Sequence, residues 1–237
     1  RYFEPFPLES IELPDVPEDE WDDIPEFARN RYLNPVYHQT VVKQQQWRKA
    51  VQAYLAAIYY TDTLFGRVMD ALEASPYTDE TIVIFTSDHG LHLGEKFRWR
   101  KFALWQENTH VPLIIRAPGI TQPGGVHTHP TELLDIYPTF VDLCGLSPVE
   151  DAEGVPLTSR LLDPTIDPGR PALITTDYQC HAVVDERYGY IRYVDGSEEL
   201  YDHQTDPDEH INLAGDPAYQ SIIDELAQWL PEVNVLP

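Results

Sequence analysis

The chain has 237 residues, 42% hydrophobic and 24% charged, which is enough for one large domain or two modest ones. Forty acids against 16 bases leave a net charge of −24, a field that repels nucleic acid and anionic lipid. No apolar run reaches the roughly 18 residues of a membrane span, and two cysteines, Cys144 and Cys180, are too few for a disulfide framework or a four-cysteine zinc site.

The first forty residues carry Pro5, Pro7, Pro14, Pro17, Pro25 and Pro35, spaced too closely for a long helix. Tyr2, Phe3, Phe6, Leu8, Ile11, Leu13, Trp21 and Phe27 make the same segment too apolar for a free linker. It reads as an extended arm lying across a surface that buries it. From about Val41 to Leu72 apolar residues recur at three- and four-residue steps, predicting a long amphipathic helix whose stripe faces the core. Residues 81–87 (TIVIFTS) and 111–119 (VPLIIRAPG) read as short strands buried on both faces, joined by a loop rich in charge and aromatics. The segment THPTELLDIYPTFVDLCGL predicts a second helix capped by Gly145, and residues 171–178 (PALITTDY) predict a third strand. YGYIRYVDGSEELYD alternates and turns at Asp195-Gly196, a hairpin pattern, and an amphipathic helix from about Pro217 to Leu230 closes the chain. These elements imply an α/β domain over residues 41–178, preceded by the arm (1–40) and followed by a small antiparallel α+β subdomain (179–237).

Asp88 and His89 directly follow the first strand, and ligand sites gather beyond the carboxyl ends of strands in open α/β sheets. A carboxylate beside an imidazole supplies an oxygen and a nitrogen ligand, half of a divalent-metal site. Lys96, Arg98, Arg100 and Lys101 form a basic island on this acidic chain, suited to an anionic substrate group near that metal. The competing reading is a solvated charged loop, expected for at least two of these cations. His110 at the entry of the second strand, His92 inside the loop and His181 after the third strand are further candidates for catalysis or substrate contact. His127 and His129 form a looser pair with no carboxylate partner in view.

The run TIVIFTSDHGLHLGE, then WRKF, THVPLIIRAPG and ELYDHQTDPDEHINLA, resembles the C-terminal half of a sulfatase, nearest the iduronate-2-sulfatase and choline-sulfatase branch. The resemblance implies an alkaline-phosphatase-like fold, a mixed sheet flanked by helices. It also implies a divalent metal, Ca2+ first and Mg2+ or Mn2+ as alternatives, held in part by Asp88 and His89. It assigns Lys101 to the sulfate group of a sulfated small molecule or saccharide. Sulfatases use a formylglycine nucleophile made in a Cys/Ser-x-Pro-x-Arg motif, and neither CGLSP at Cys144 nor CHAVV at Cys180 matches it. Asp22-Asp23 lies in the Pro-rich arm and does not correspond to the family's early Asp-Asp metal pair. The resemblance therefore implies a fragment or processed chain, inactive alone, whose partner is the N-terminal half of the same protein. Family members are commonly exported to a periplasmic, secreted or lysosomal location. The competing readings are a phosphonate or phosphate ester hydrolase of the same superfamily, and a non-catalytic scaffold subunit.

Overall fold

The computed structural model describes residues 1–148 and 150–236. The Pro-rich segment, expected to be extended, is broken by turns over residues 2–5 and 18–21, a 3-10 turn, Leu8–Ser10, and a short helix α1, Glu26–Tyr32. Part of its apolar surface turns inward, while Phe3 stays 52% exposed. Ile11, Ile24, Ala28, Tyr32 and Leu33 are buried, and Trp21 and Phe27 pack on the cluster around Trp105, Tyr193 and Tyr201. Burial of this kind stabilises by roughly 25 cal/mol per Å2 of apolar surface, which explains why so proline-rich a segment holds a fixed path.

The stretch expected as one helix from Val41 is two: α2, Pro35–Lys43, and α3, Trp47–Glu73. Asn34 caps α2, accepting the Val36 N–H at 3.1 Å. The break falls at Gln45, whose φ of 54° lies in the left-handed region that ends a helix. The stripe of α3 is only partly a core face. Val51 and Ala56 are buried, whereas Ile58, Leu64 and Val68 are exposed. Tyr59 and Tyr60 meet Tyr2 edge-to-face yet stay substantially open.

β1, Val83–Thr86, pairs antiparallel with β2, Leu113–Arg116, in the register Val83 to Arg116 and Thr86 to Leu113. Both were expected to be buried on two faces. Instead both are half-covered, and Ile114 is 61% exposed. Between them lies the short helix α4, Gln106–Thr109. A 3-10 turn, Leu133–Asp135, leads into α5, Ile136–Leu143, and Gly145 adopts φ 63° just beyond it, as its capping role required. The apolar Leu134, Tyr137 and Phe140 are exposed; Asp135, Thr139 and Val141 are the buried residues of this segment. Asp135 is held there by Arg170 at 2.6 Å and the Val155 N–H at 2.8 Å. α6, Thr158–Leu162, completes this part.

The second sheet is an antiparallel meander of β3, Ala172–Asp177; β4, Cys180–Val184; β5, Tyr188–Arg192; and β6, Glu198–Asp202. The turn between β5 and β6 has Gly196 at φ 85°, where a glycine is favoured. α7, Gln220–Ala227, lays Ile223 and Leu226 on Val183, Tyr190 and Leu200. β3 pairs with β4 rather than with β1 or β2, so a boundary drawn at residue 178 cuts a hairpin. Sequence alone could not show this, because a run of apolar, β-branched residues declares a strand and not its neighbour. No helix among the described residues is long and apolar enough to cross a membrane.

Candidate functional site

The loop from Asp88 to His110 leaves the carboxyl end of β1 and returns at the start of β2. Its path is held in three unusual places: Lys96, Phe97 and Phe102 have φ of 49°, 51° and 66°, a left-handed conformation costly for such side chains. Gly94, at φ 128°, lies where a Cβ would come within 2.4 Å of the Trp47 ring. The same indole donates to the Leu93 carbonyl at 2.7 Å, so α3 pins the outbound arm of the loop.

At the mouth of this loop Asp88, His89 and Lys101 converge. His89 Nδ1 lies 2.8 Å from the Gly90 carbonyl, which can only accept, so Nδ1 carries the proton. Nε2 then offers its lone pair to the Lys101 ammonium at 2.8 Å, and Asp88 Oδ2 lies 3.4 Å from the same nitrogen. The Asp88 side chain is 85% exposed. Ser87 supports the turn, its hydroxyl donating to the His89 carbonyl at 2.9 Å.

The other candidates do not join this corner. His92 is fully buried, edge-on to Trp105, with both ring nitrogens unpaired and Nε2 3.5 Å from Glu107 Oε2. Burial, reinforced by Arg98 and Lys96, lowers its pKa to about 3, so the ring is neutral. His181 is also buried, its two nitrogens matched to Thr175 and Asn234, so it ties the chain's end to β4. His110 stands exposed at the entry of β2. His127 and His129 lie near each other, ring centroids 5.4 Å apart, beside a cavity of 330 Å3 whose lining omits Asp88, His89 and Lys101.

The basic island is dispersed, with Lys96 and Arg98 buried and Arg100 exposed. Lys96 is buried against Glu20 at 2.9 Å and the Glu209 carbonyl. Burial alone would lower its pKa, but Glu20 and Glu209 outweigh it and the net shift is upward. Arg98 is buried, donating to the carbonyls of Lys101 at 2.6 Å and Phe102 at 3.2 Å. Arg100 stacks on Tyr37 from α2, its guanidinium carbon 4.6 Å from the ring centre. Only Lys101 reaches His89. Sequence reasoning missed the groups that secure the loop: Glu20 in the arm, Trp47 on α3 and Asn108 on α4. Nothing in a lone acid, indole or amide marks such a partner in advance. The Asp23 carboxylate accepts the Asn212 N–H at 2.7 Å.

A calcium ion takes roughly six to eight oxygen ligands. Among the described residues no three His, Cys, Asp or Glu side chains gather to hold a metal. Asp88 nevertheless fits one face of such a site, because its exposed carboxylate forms no hydrogen bond among the described residues and only the 3.4 Å contact with His89.

The sulfatase family model matches residues 20–146, and the model for the C-terminal region of N-sulphoglucosamine sulphohydrolase matches residues 94–235. The chain belongs to the sulfatase family. A sulfatase of Formosa agariphila is 37% identical over 99% of this chain and 46% of its own length. The choline-sulfatase of Rhizobium meliloti is 31% identical over 85% of this chain and 40% of its own. A phosphonate monoester hydrolase from Silicibacter pomeroyi superposes with a TM-score of 0.80 at 26% identity, covering 93% of this chain and 49% of that one. This sulfatase chain thus spans under half the length of those curated relatives, and its architecture is the alkaline-phosphatase-like α/β fold the resemblance implied.

Proposed function

We propose that this chain is the C-terminal half of a metal-dependent sulfatase that hydrolyses the sulfate ester of a small molecule or saccharide. The observation that carries the reading is the corner itself, where Asp88, His89 and Lys101 meet at the end of β1. A divalent cation, Ca2+ or else Mg2+ or Mn2+, would be held on this side by Asp88 and His89 and would neutralise the sulfate oxygens. Lys101 brings an ammonium to the same point, suited to a sulfate oxygen and to charge growing on the departing alcohol. With its Nδ1 proton on the Gly90 carbonyl, His89 leaves Nε2 unprotonated; that nitrogen accepts from Lys101 here and would turn to the cation when one is held. The remaining ligands and the formylglycine nucleophile belong to the N-terminal half. That half also suits the open apolar faces of α3 and β2, where Ile58, Val68 and Ile114 stand exposed. This chain alone is accordingly expected to be inactive.

Lys101→Ala in the complete enzyme tests the reading. Sulfate-ester turnover should fall by about a hundredfold or more, as when one donor to a developing oxyanion is removed, with metal content unchanged. An unaltered rate would place Lys101 outside the site and overturn the assignment. A second reading, phosphonate monoester hydrolysis, is favoured by the 0.80 superposition on such an enzyme. Parallel rates on an aryl sulfate and an aryl phosphonate monoester separate them, and faster phosphonate cleavage would reverse their order.

A further inference from the structure

The two arms that carry the corner meet at one buried side chain. Asn108 on α4 is 5% exposed, and its amide nitrogen lies 3.3 Å from the Gly90 carbonyl and 3.4 Å from the Arg100 carbonyl. Both neighbours are pure acceptors, so the NH2 group must face them. One of these carbonyls follows His89 directly and also accepts the His89 Nδ1 proton. The other directly precedes Lys101. The backbone adds a third tie, the Gly90 N–H donating to the Asn108 carbonyl at 2.8 Å. A Cβ on Gly90 would approach the Glu107 carbonyl oxygen to 1.9 Å, so α4 and the His89 arm are in direct contact with no slack between them.

We propose that Asn108 is a positioning residue that sets the spacing of His89 and Lys101 by bracing the two arms at Gly90 and Arg100. It touches neither substrate nor metal. It acts by aiming the carbonyl that orients the imidazole and by anchoring the backbone from which the ammonium projects. Each bond is long and individually weak, but this one amide reaches the carbonyl beside His89 and the carbonyl beside Lys101, so its loss loosens both flanks of the corner even though the His92 N–H still donates to the Arg100 carbonyl at 3.4 Å. The inference rests on the sulfatase reading, because the spacing matters only if Lys101 and His89 serve the reaction.

The test is a double-mutant cycle in the complete enzyme. Asn108→Asp keeps the shape but turns a carboxylate oxygen towards two carbonyls. It should cut kcat by about ten- to a hundredfold, the scale of a misplacement near 1 Å, while KM changes less than about threefold. The discriminating measurement is Asn108→Asp combined with Lys101→Ala. If Asn108 acts through the spacing of Lys101 and His89, the double variant loses much less than the product of the two single losses. A merely structural Asn108 would multiply its loss onto that of Lys101, which would overturn the proposal. If Asn108→Asp does not fold, Asn108→Ser, too short to span both carbonyls, is read in the same cycle. If Lys101→Ala itself leaves turnover unchanged, the sulfatase reading falls and the positioning role with it. If Lys101→Ala is slow but neither Asn108 variant is, only the positioning role falls.

Discussion

Lys96→Met probes what holds the site loop against the rest of the chain. The ammonium and the Glu20 carboxylate are both almost wholly out of solvent, 2.9 Å apart. The cation also lies 5.5 Å and 5.1 Å from the ring centres of Trp105 and Tyr201. Methionine keeps most of the apolar stem and removes the charge. Breaking a buried pair from one side costs about 3–5 kcal/mol, because the surviving charge is left uncompensated. Glu20 retains a second contact, His210 Nδ1 at 2.7 Å, so the loss should sit at the low end, about 3 kcal/mol. The additional change Glu20→Gln removes the stranded charge and should recover part of it. Urea unfolding of the complete protein, followed by tryptophan fluorescence, measures both steps. Trp21 is well placed to report, since its indole donates to the Lys96 carbonyl at 2.9 Å. A loss below about 1 kcal/mol, the range of exposed pairs, would refute the reasoning. So would a double variant less stable than Lys96→Met.

Asp88→Asn in the complete enzyme should lower bound metal and sulfate-ester turnover together; metal content measured by elemental analysis and found unchanged would remove Asp88 from the ligand set. Glu107 gives a pH prediction. Burial, with the Glu209 carboxylate adding to it, pushes its pKa up from 4.5 to about 8. The folded chain therefore keeps a proton that the unfolded chain releases, and the resulting stability is complete below pH 4.5 and lost as pH rises towards 8. His92 runs the other way, its contribution complete above pH 6.5 and lost as pH falls towards 3. Glu107→Gln should flatten the decline in unfolding free energy between about pH 5 and 8, and an identical slope in both proteins would dispose of the idea.

Periodicity and punctuation made most elements legible. α3, β1, β2, α5, the β5–β6 hairpin and α7 all lie where spacing, capping glycine and turn residues put them. The sequence did not show which surfaces would be covered. Ile58 and Ile114 carry the same apolar signal as Val183 and Leu200, yet the first two face outward and the last two are buried. Hydrophobicity announces that a face wants a partner, not where in the chain that partner lies. In the candidate site, strand-end placement pointed to Asp88 and His89 and the family resemblance added Lys101, and the structure brings these three together. His92 and Lys96 were misjudged for one physical reason. Polar side chains in a long loop are assumed to be solvated, and these two lie in a loop that folds back into the core. Glu20, which neutralises Lys96, stands 76 residues away, beyond any local pattern.

The dispersal of the basic island changes how an acidic protein could accept an anion. With a net charge of −24, four clustered cations looked like the counterweight. Two of them are spent inside the fold instead, Lys96 on Glu20 and Arg98 on backbone carbonyls. Arg98 is the instructive one: it spends its guanidinium on the carbonyls of Lys101 and Phe102, across the segment where Phe102 holds a φ of 66°. A charge-assisted pair of hydrogen bonds of this kind can offset the roughly 1–3 kcal/mol cost of a strained residue. The effect is to fix the stretch of chain from which the Lys101 ammonium reaches His89. The field of the remaining surface is screened beyond a Debye length of about 8 Å at physiological salt, whereas a group in contact is not. One ammonium held at contact distance can therefore outweigh a larger and more distant opposing charge. On this view the neighbouring cations matter for where they put Lys101 rather than for charge they add to it.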